Sequence, residues 1–250
     1  MLGVSLKLYL DIAQTVRWAH EVAQLARRHP AVVRGTVQLF VMPSFPALAP
    51  VREAIRGSRV LLGAQDLHWH DRGPYTGAVS GADLRSIGCR LVEVGHAERR
   101  LHFGEDDATV ARKVAAAYRN GLTPVLCIGE IEQTGPGRAA RECVARLDAS
   151  LDRLDGLHAG HELIVAYEPG WAIGRSAAAD PAHVTAVVAE IRDRLRAEHP
   201  LAGSRVIYGG SAQPGSLERL APHVDGLFLG RYAHDPAQLA RIVDEAASVA

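Results

Sequence analysis

Short apolar runs recur along the chain, and the stretches between them carry apolar residues at every third or fourth position. The first pattern is that of strands buried on both faces, the second that of helices with one buried face. Strands are predicted over 4–9, 37–41, 60–64, 91–94, 123–127, 163–166, 205–208 and 227–229. A helix over 15–29 sets Ala19, Val22, Ala23 and Ala26 on one side. Further helices are predicted over 51–56, from Asp106 or Asp107 to Tyr118, over 138–154, behind Asp180-Pro181, near Ser216 and behind Asp235-Pro236. Each Asp-Pro pair places an N-cap acceptor ahead of a residue whose missing N–H is harmless in a first turn. Behind Asp180 the residues Val184, Val187, Val188, Ile191 and Leu195 keep helical spacing, and Gly121 suits the end of the helix before the fifth strand.

Eight βα units of about 30 residues are the period of a single (β/α)8, or TIM, barrel. The expected fold is therefore α/β, one domain over residues 1–250, with no linker and no low-complexity segment. An open doubly wound sheet is the rival, disfavoured because no Gly-x-Gly-x-x-Gly follows the first strand. Composition narrows the class further. A formal net charge of +0 gives no pull toward nucleic acid or an anionic membrane surface. No apolar stretch is long enough to span a bilayer. Cys89, Cys127 and Cys143 are odd in number and share no metal spacing, as expected of a reduced, cytoplasmic protein. Met1 to Asp11 lacks a basic lead and is interrupted by Lys7, so it does not read as a signal peptide.

In a barrel, chemistry belongs at the C-terminal ends of the strands. The polar residues expected there are Lys7 and Tyr9, Gly95-His96, Glu168, Gly209-Gly210-Ser211 and Gly230-Arg231. Lys7 stands between Leu6 and Leu8 in a chain whose only other lysine is Lys113, which favours a specific task over a solvated rim charge. Glu168 ends an apolar strand and is followed by Pro169, Gly170, Trp171, Ala172 and Ile173. A carboxylate under an apolar flap is a candidate general base with a raised pKa; the bland alternative is an acid that caps the next turn. His68 and His70 flank Trp69 and could suggest a metal pair, but no third ligand is evident and loop or interface histidines fit better. No metal site and no cofactor is expected.

Several stretches resemble the triosephosphate isomerase family, in family order from the first strand to the last. They are Val94-Gly95-His96-Ala97-Glu98-Arg99-Arg100, Cys127-Ile128-Gly129-Glu130, Tyr167-Glu168-Pro169-Gly170-Trp171-Ala172-Ile173-Gly174, Tyr208-Gly209-Gly210-Ser211 and Asp225-Gly226. The resemblance implies Glu168 as base, His96 as a neutral hydrogen-bond donor to the enediolate oxygens and Lys7 as electrostatic partner, roles that belong to the family's known mechanism. It implies that backbone N–H groups of Gly174, Ser211, Gly230 and Arg231 cradle a substrate phosphate, and that 169–173 forms a lid. Glu98 would orient the site or serve only as a helix N-terminal acid, and Cys127 would be a small buried neighbour of the site.

The departures from the family cluster around the substrate. Ser5-Leu6-Lys7 stands where Asn-x-Lys is usual, Tyr9 where a second Asn is usual, and Gly230-Arg231 where Gly-Gly is usual. The lid continues Gly174-Arg175-Ser176-Ala177 rather than Gly-Thr-Gly-Lys, and begins Pro-Gly-Trp rather than Pro-Val-Trp. Ser5 in place of an amide frees space for a longer substrate. The Ser-x-Lys start, the Trp69 loop and the Gly-Arg turn are also similar to family members acting on four-carbon ketose phosphates. The expected activity is interconversion of dihydroxyacetone phosphate and glyceraldehyde 3-phosphate, with an erythrulose phosphate as the rival substrate. A non-catalytic sugar-phosphate binder is a further alternative, as is another phosphate-binding barrel enzyme such as a lyase or synthase. The loop carrying Tyr75, Thr76 and Gly77 resembles the family's dimer loop, which implies a homodimer with Thr76 near Ser5 or Glu98 of the other subunit. Ala78 stands where the family has an acid, so one ion pair across that contact is expected to be absent.

Overall fold

The computed structural model describes residues 1–154, 161–173, 178–197, 201 and 203–250. The strands are β1 (Leu2–Ser5), β2 (Leu39–Met42), β3 (Leu61–Ala64), β4 (Leu91–Val94), β5 (Thr123–Ile128), β6 (Ile164–Tyr167), β7 (Arg205–Tyr208) and β8 (Leu227–Leu229). Each pairs in parallel with the next, and β8 returns to β1 to close a barrel. The helices around it are α1 (Ile12–Arg28), α2 (Pro30–Arg34), α3 (Leu48–Ala54), α4 (Gly81–Ile87), α5 (Ala97–Phe103), α6 (Asp107–Arg119), α7 (Pro136–Leu151), α8 (Pro181–Ala197), α9 (Ser216–Leu220) and α10 (Pro236–Ser248). This is the (β/α)8 barrel expected from the pattern.

Alternation along the strands makes two cores. Phe40, Met42, Leu91, Val125, Cys127, Ile164, Ala166, Ile207 and Phe228 fill the barrel interior. The other face of each strand, including Val4, Val41, Val92, Val94 and Val165, packs beneath the helices. Gly3 is required inside, since a Cβ there would lie 1.9 Å from the ring of Phe40. That ring in turn stacks on Phe228, with centroids 5.8 Å apart. The same period of two carries the interior face upward to Ser5, Glu93, Cys127, Glu168 and Gly209, which places polar groups above a packed apolar plug.

One expectation fails at the barrel rim. The apolar run predicts a first strand over 4–9, but the ladder ends at Ser5. Leu6 N–H still reaches Met42 O at 3.1 Å, and Lys7 then adopts a left-handed φ of 48°. Leu8 is 86% exposed and Tyr9 55% exposed, so these apolar residues belong to a surface turn. Gln65 holds that turn, donating from Nε2 to Lys7 O at 3.1 Å and to Met42 O at 2.9 Å. Three short helices also escape the periodicity. In α2, α4 and α5 a capping side chain fixes the start: His29 Nδ1, Ser80 Oγ and His96 Nδ1 accept from Ala31, Asp83 and Glu98 N–H. Helices of one or two turns present too little apolar repeat to be read by spacing. Asp106, Asp180 and Asp235 accept backbone N–H bonds at the starts of α6, α8 and α10, as the sequence predicts. No described helix is long and apolar enough to cross a membrane.

Candidate active site

Lys7, His96 and Glu168 converge at the C-terminal mouth of the barrel, on a cavity of about 280 Å³ that Ser5, Glu98, Ser211, Gly230 and Arg231 also line. His96 caps α5, its Nδ1 accepting the Glu98 N–H at 3.1 Å. Burial, then Lys7 and Arg99, depress the imidazole pKa to about 3, so the ring is neutral. With Nδ1 an acceptor, the ring hydrogen sits on Nε2 and faces the cavity. Lys7 Nζ lies 2.8 Å from that nitrogen and pairs with Glu98 Oε1 at 3.2 Å. Burial lowers the Lys7 pKa, but the surrounding acidic groups, Glu98 at 3.2 Å among them, outweigh it and raise it overall, so the lysine is charged. An imidazole N–H beside an ammonium cannot bond to it. The two donors suit one oxygen that carries negative charge.

Glu168 follows β6 and is buried. Its Oε2 lies 3.6 Å from His96 Nε2 and has no hydrogen-bond partner among the described residues. Burial raises its pKa to about 7, against the opposing pull of Lys7 and of a hydrogen bond from Cys127. A carboxylate near neutrality with an unengaged oxygen can take a proton from a carbon acid in the cavity. Two glycines let it sit there. A Cβ on Gly209 would lie 2.6 Å from Glu168 Cγ and Oε1, and one on Gly129 would lie 1.8 Å from the Glu168 carbonyl oxygen.

Ser211 takes a left-handed φ of 56° and donates from Oγ to Ala172 O at 2.7 Å. It faces Gly230 and Arg231, which open a short 3₁₀ turn after β8. The Arg231 guanidinium lies 5.9 Å from the Tyr9 ring centroid at the cavity rim. Gly174, expected to complete the phosphate cradle, lies outside the described residues, as do Arg175, Ser176 and Ala177. Pro169 leads into a 3₁₀ turn over Gly170–Ala172, and Ile173 reaches the cavity wall. Trp171 Nε1 donates to Glu130 Oε1 at 2.8 Å, and Gly170 N–H to Glu130 O at 2.8 Å.

Tyr75 folds back on its own loop, stacked on His70 at 4.8 Å and tilted against His68 at 4.4 Å. Thr76 and Gly77 are exposed. Cys127 is buried on β5 beneath Glu168, and burial drives its thiol pKa far up. Among the described residues no cluster of His, Cys, Asp or Glu is arranged to hold a metal ion.

Three residues near the site carry no role read from the sequence, although Glu130 stands in one of the matching stretches. Gln65 supports the Lys7 turn, and Glu130 anchors the start of the flap while also receiving Tyr167 Oη at 3.2 Å and facing His183 Nε2 at 3.1 Å. The third is Glu93, a carboxylate buried inside the barrel on β4. An acid in a strand otherwise read as fully buried was the available signal.

The fold and this mouth define an α/β barrel in which a buried carboxyl, a neutral imidazole and an ammonium face one cavity. The chain matches the family model for triosephosphate isomerase over residues 1–246, and it belongs to that family of isomerases. It is 48% identical over 245 residues to the L-erythrulose-1-phosphate isomerase of Pectobacterium atrosepticum, covering 98% of this chain and 95% of that one. It is 39% identical over 241 residues to a triosephosphate isomerase of Synechococcus sp., covering 95% and 91%. Among solved structures, the triosephosphate isomerase of Bartonella henselae superposes with a TM-score of 0.81 at 28% identity, over 97% of each chain.

Proposed function

We propose that this isomerase acts on a four-carbon ketose phosphate of the erythrulose 1-phosphate type. The carrying observation is the 48% identity, over 98% of the chain, to an L-erythrulose-1-phosphate isomerase. It reverses the order drawn from the sequence motifs, which put triose phosphate first. The cavity supports the same reading, because the shorter Ser5 side chain at its floor leaves room that an amide would fill.

The chemistry follows from the three converging groups. Glu168 Oε2 removes the proton from the carbinol carbon next to the carbonyl. Negative charge develops on the two adjacent oxygens, where His96 Nε2–H and the Lys7 ammonium receive it. Glu168 then returns the proton to the former carbonyl carbon, while His96 Nε2 relays the hydroxyl proton from the carbinol oxygen, which becomes the new carbonyl, to the former carbonyl oxygen, which becomes the new hydroxyl. When the carbonyl neighbours the phosphorylated carbon of a tetrulose, it moves one carbon further from the phosphate and a second ketose phosphate results. No electron acceptor is consumed. Backbone N–H groups of Ser211, Gly230 and Arg231 hold the phosphate, so that binding energy orients the reacting carbons. Glu98 steadies Lys7, Cys127 fills the buried space beneath Glu168, and 169–173 keeps water from the base. No metal or cofactor takes part.

The active form is a homodimer in which the loop around Thr76 reaches the neighbouring subunit near Ser5 or Glu98. The exposed apolar side chains of Leu101 and Phe103 support this. Sedimentation at micromolar concentration tests it: a dimer is expected, and a monomer would overturn it. The substrate reading is tested by kcat/KM for L-erythrulose 1-phosphate and dihydroxyacetone phosphate. The tetrulose phosphate is expected to be preferred at least tenfold, and a preference for the triose phosphate would restore the other order.

A further inference from the structure

Glu93 has no part in the proton transfer just described, yet it is buried inside the barrel directly under the reacting groups. Its Oε2 accepts a hydrogen bond from Ser5 Oγ at 2.9 Å. Its Oε1 lies 3.8 Å from Cys127 Sγ and 3.9 Å from His96 Nε2, the nitrogen that Glu168 Oε2 also approaches, to 3.6 Å. The charged and titratable groups that face it are Lys7 from the turn after β1, His96 and Glu98 at the start of α5, Cys127 on β5 and Glu168 after β6. Two buried carboxyl groups therefore share one ammonium, and that ammonium is also paired with Glu98. Two ionised acids this close, both within 4 Å of one neutral imidazole nitrogen, are not both sustained out of water.

We propose that Glu93 is a positioning residue of the isomerase: in protonated form it holds the Ser5 hydroxyl at the cavity floor without adding negative charge beside the developing enediolate. Ser5 spends its hydrogen on Glu93, so what it offers the cavity is an acceptor for a substrate hydroxyl, whereas an amide at that position would also carry N–H donors. Ionised Glu93 would set a second carboxylate next to His96 and Lys7, opposing the charge those groups have to stabilise. Burial pushes the Glu93 carboxyl up to about 8, Lys7 pulling the other way and Glu168 adding to the rise. The acid thus stays neutral at neutral pH and ionises in the mildly alkaline range.

The role separates from that of Glu168 in a pH profile. For whichever sugar phosphate the wild-type enzyme turns over, kcat/KM is expected to fall above about pH 8. Glu93→Gln keeps an acceptor for Ser5 and cannot ionise, so it should stay within about threefold of wild type at pH 7.5 and lose the alkaline fall up to pH 9.5. Glu93→Leu leaves the Ser5 hydroxyl without its partner and is expected to raise KM at least fivefold at pH 7.5 with a smaller change in kcat. Ser5→Ala should reproduce that rise, and the double variant should be no worse than either single one. Retention of the alkaline fall by Glu93→Gln would overturn the proposal, as would a wild-type KM in a folded Glu93→Leu. Should Glu93→Leu show no cooperative melt, the Glu93→Gln profile decides alone. Wild-type enzyme inactive on triose and tetrulose phosphates alike would count against the substrate reading, a result distinct from either failure.

Discussion

Gly209 offers a way to displace Glu168, the proposed base, without touching it. It follows β7, and a Cβ built on it would lie 2.6 Å from both Cγ and Oε1 of Glu168. Non-bonded carbons settle at about 3.5 Å or more, so Gly209→Ala must push the carboxyl by about 1 Å. Gly209 is not among the residues with left-handed φ, so alanine brings no backbone strain there. The atoms it meets are the end of a side chain that can rotate, and the fold can absorb the change. The catalytic geometry cannot, since a misplacement of about 1 Å can cost about a hundredfold in rate. That corresponds to about 2.7 kcal/mol of lost transition-state stabilisation. The assay is kcat/KM on the ketose phosphate, with a thermal melt of the same preparation. The expected result is a rate about a hundredfold lower with a melt close to wild type. A full rate would refute the close packing of base and Gly209 as a functional constraint. A rate and melt that fall together would refute the claim that the side chain yields before the backbone does.

The neighbouring glycine should behave oppositely: Gly129→Ala meets the Glu168 carbonyl oxygen at 1.8 Å, so it should lower the melting temperature sharply, and a wild-type melt would contradict the packing described. Glu168 has a folded pKa of about 7 against an ordinary value of 4.5, so the unfolded chain loses its proton first and wild-type stability declines as pH rises through that window. Glu168→Gln removes this contribution and should gain on wild type in urea melts between pH 5 and pH 8, by up to about 3 kcal/mol; a constant difference would contradict the raised pKa. The same group predicts that wild-type kcat/KM climbs through about pH 7, whereas a profile flat from pH 5.5 to 7.5 would speak against Glu168 as the base. Arg231→Ala should raise KM about tenfold with kcat largely kept if the guanidinium holds phosphate charge, and an unchanged KM would place that side chain in solvent.

The barrel could be read from the chain because its strands are buried on both faces and spell themselves as apolar runs, while the Asp-Pro and Gly signals punctuate the long helices. Runs such as Leu163 to Ala166 left little choice of element, and Asp106, Asp180 and Asp235 cap where spacing put them. The first strand misled because Leu8 and Tyr9 are apolar yet face solvent, and the left-handed turn at Lys7 leaves no sequence mark. Lys7, His96 and Glu168 were legible as unlike residues at strand ends and by resemblance. Their mutual geometry was not, because it depends on tertiary closure that brings β1, β4 and β6 around one axis. Glu93, Gln65 and Glu130 stayed hidden for a related reason: each acts through a contact distant in sequence, with Ser5, with Lys7 and Met42, and with Trp171.

The most direct test of the account is isotope uptake during turnover. L-Erythrulose 1-phosphate incubated with wild-type enzyme in D2O and followed by NMR should acquire one deuterium at the carbon that was the carbonyl and becomes the carbinol. Glu168→Gln, folded and at equal concentration, should slow that incorporation by a thousandfold or so, within the range general base catalysis contributes. Incorporation into dihydroxyacetone phosphate but not into the tetrulose phosphate, or incorporation undiminished in Glu168→Gln, would contradict it.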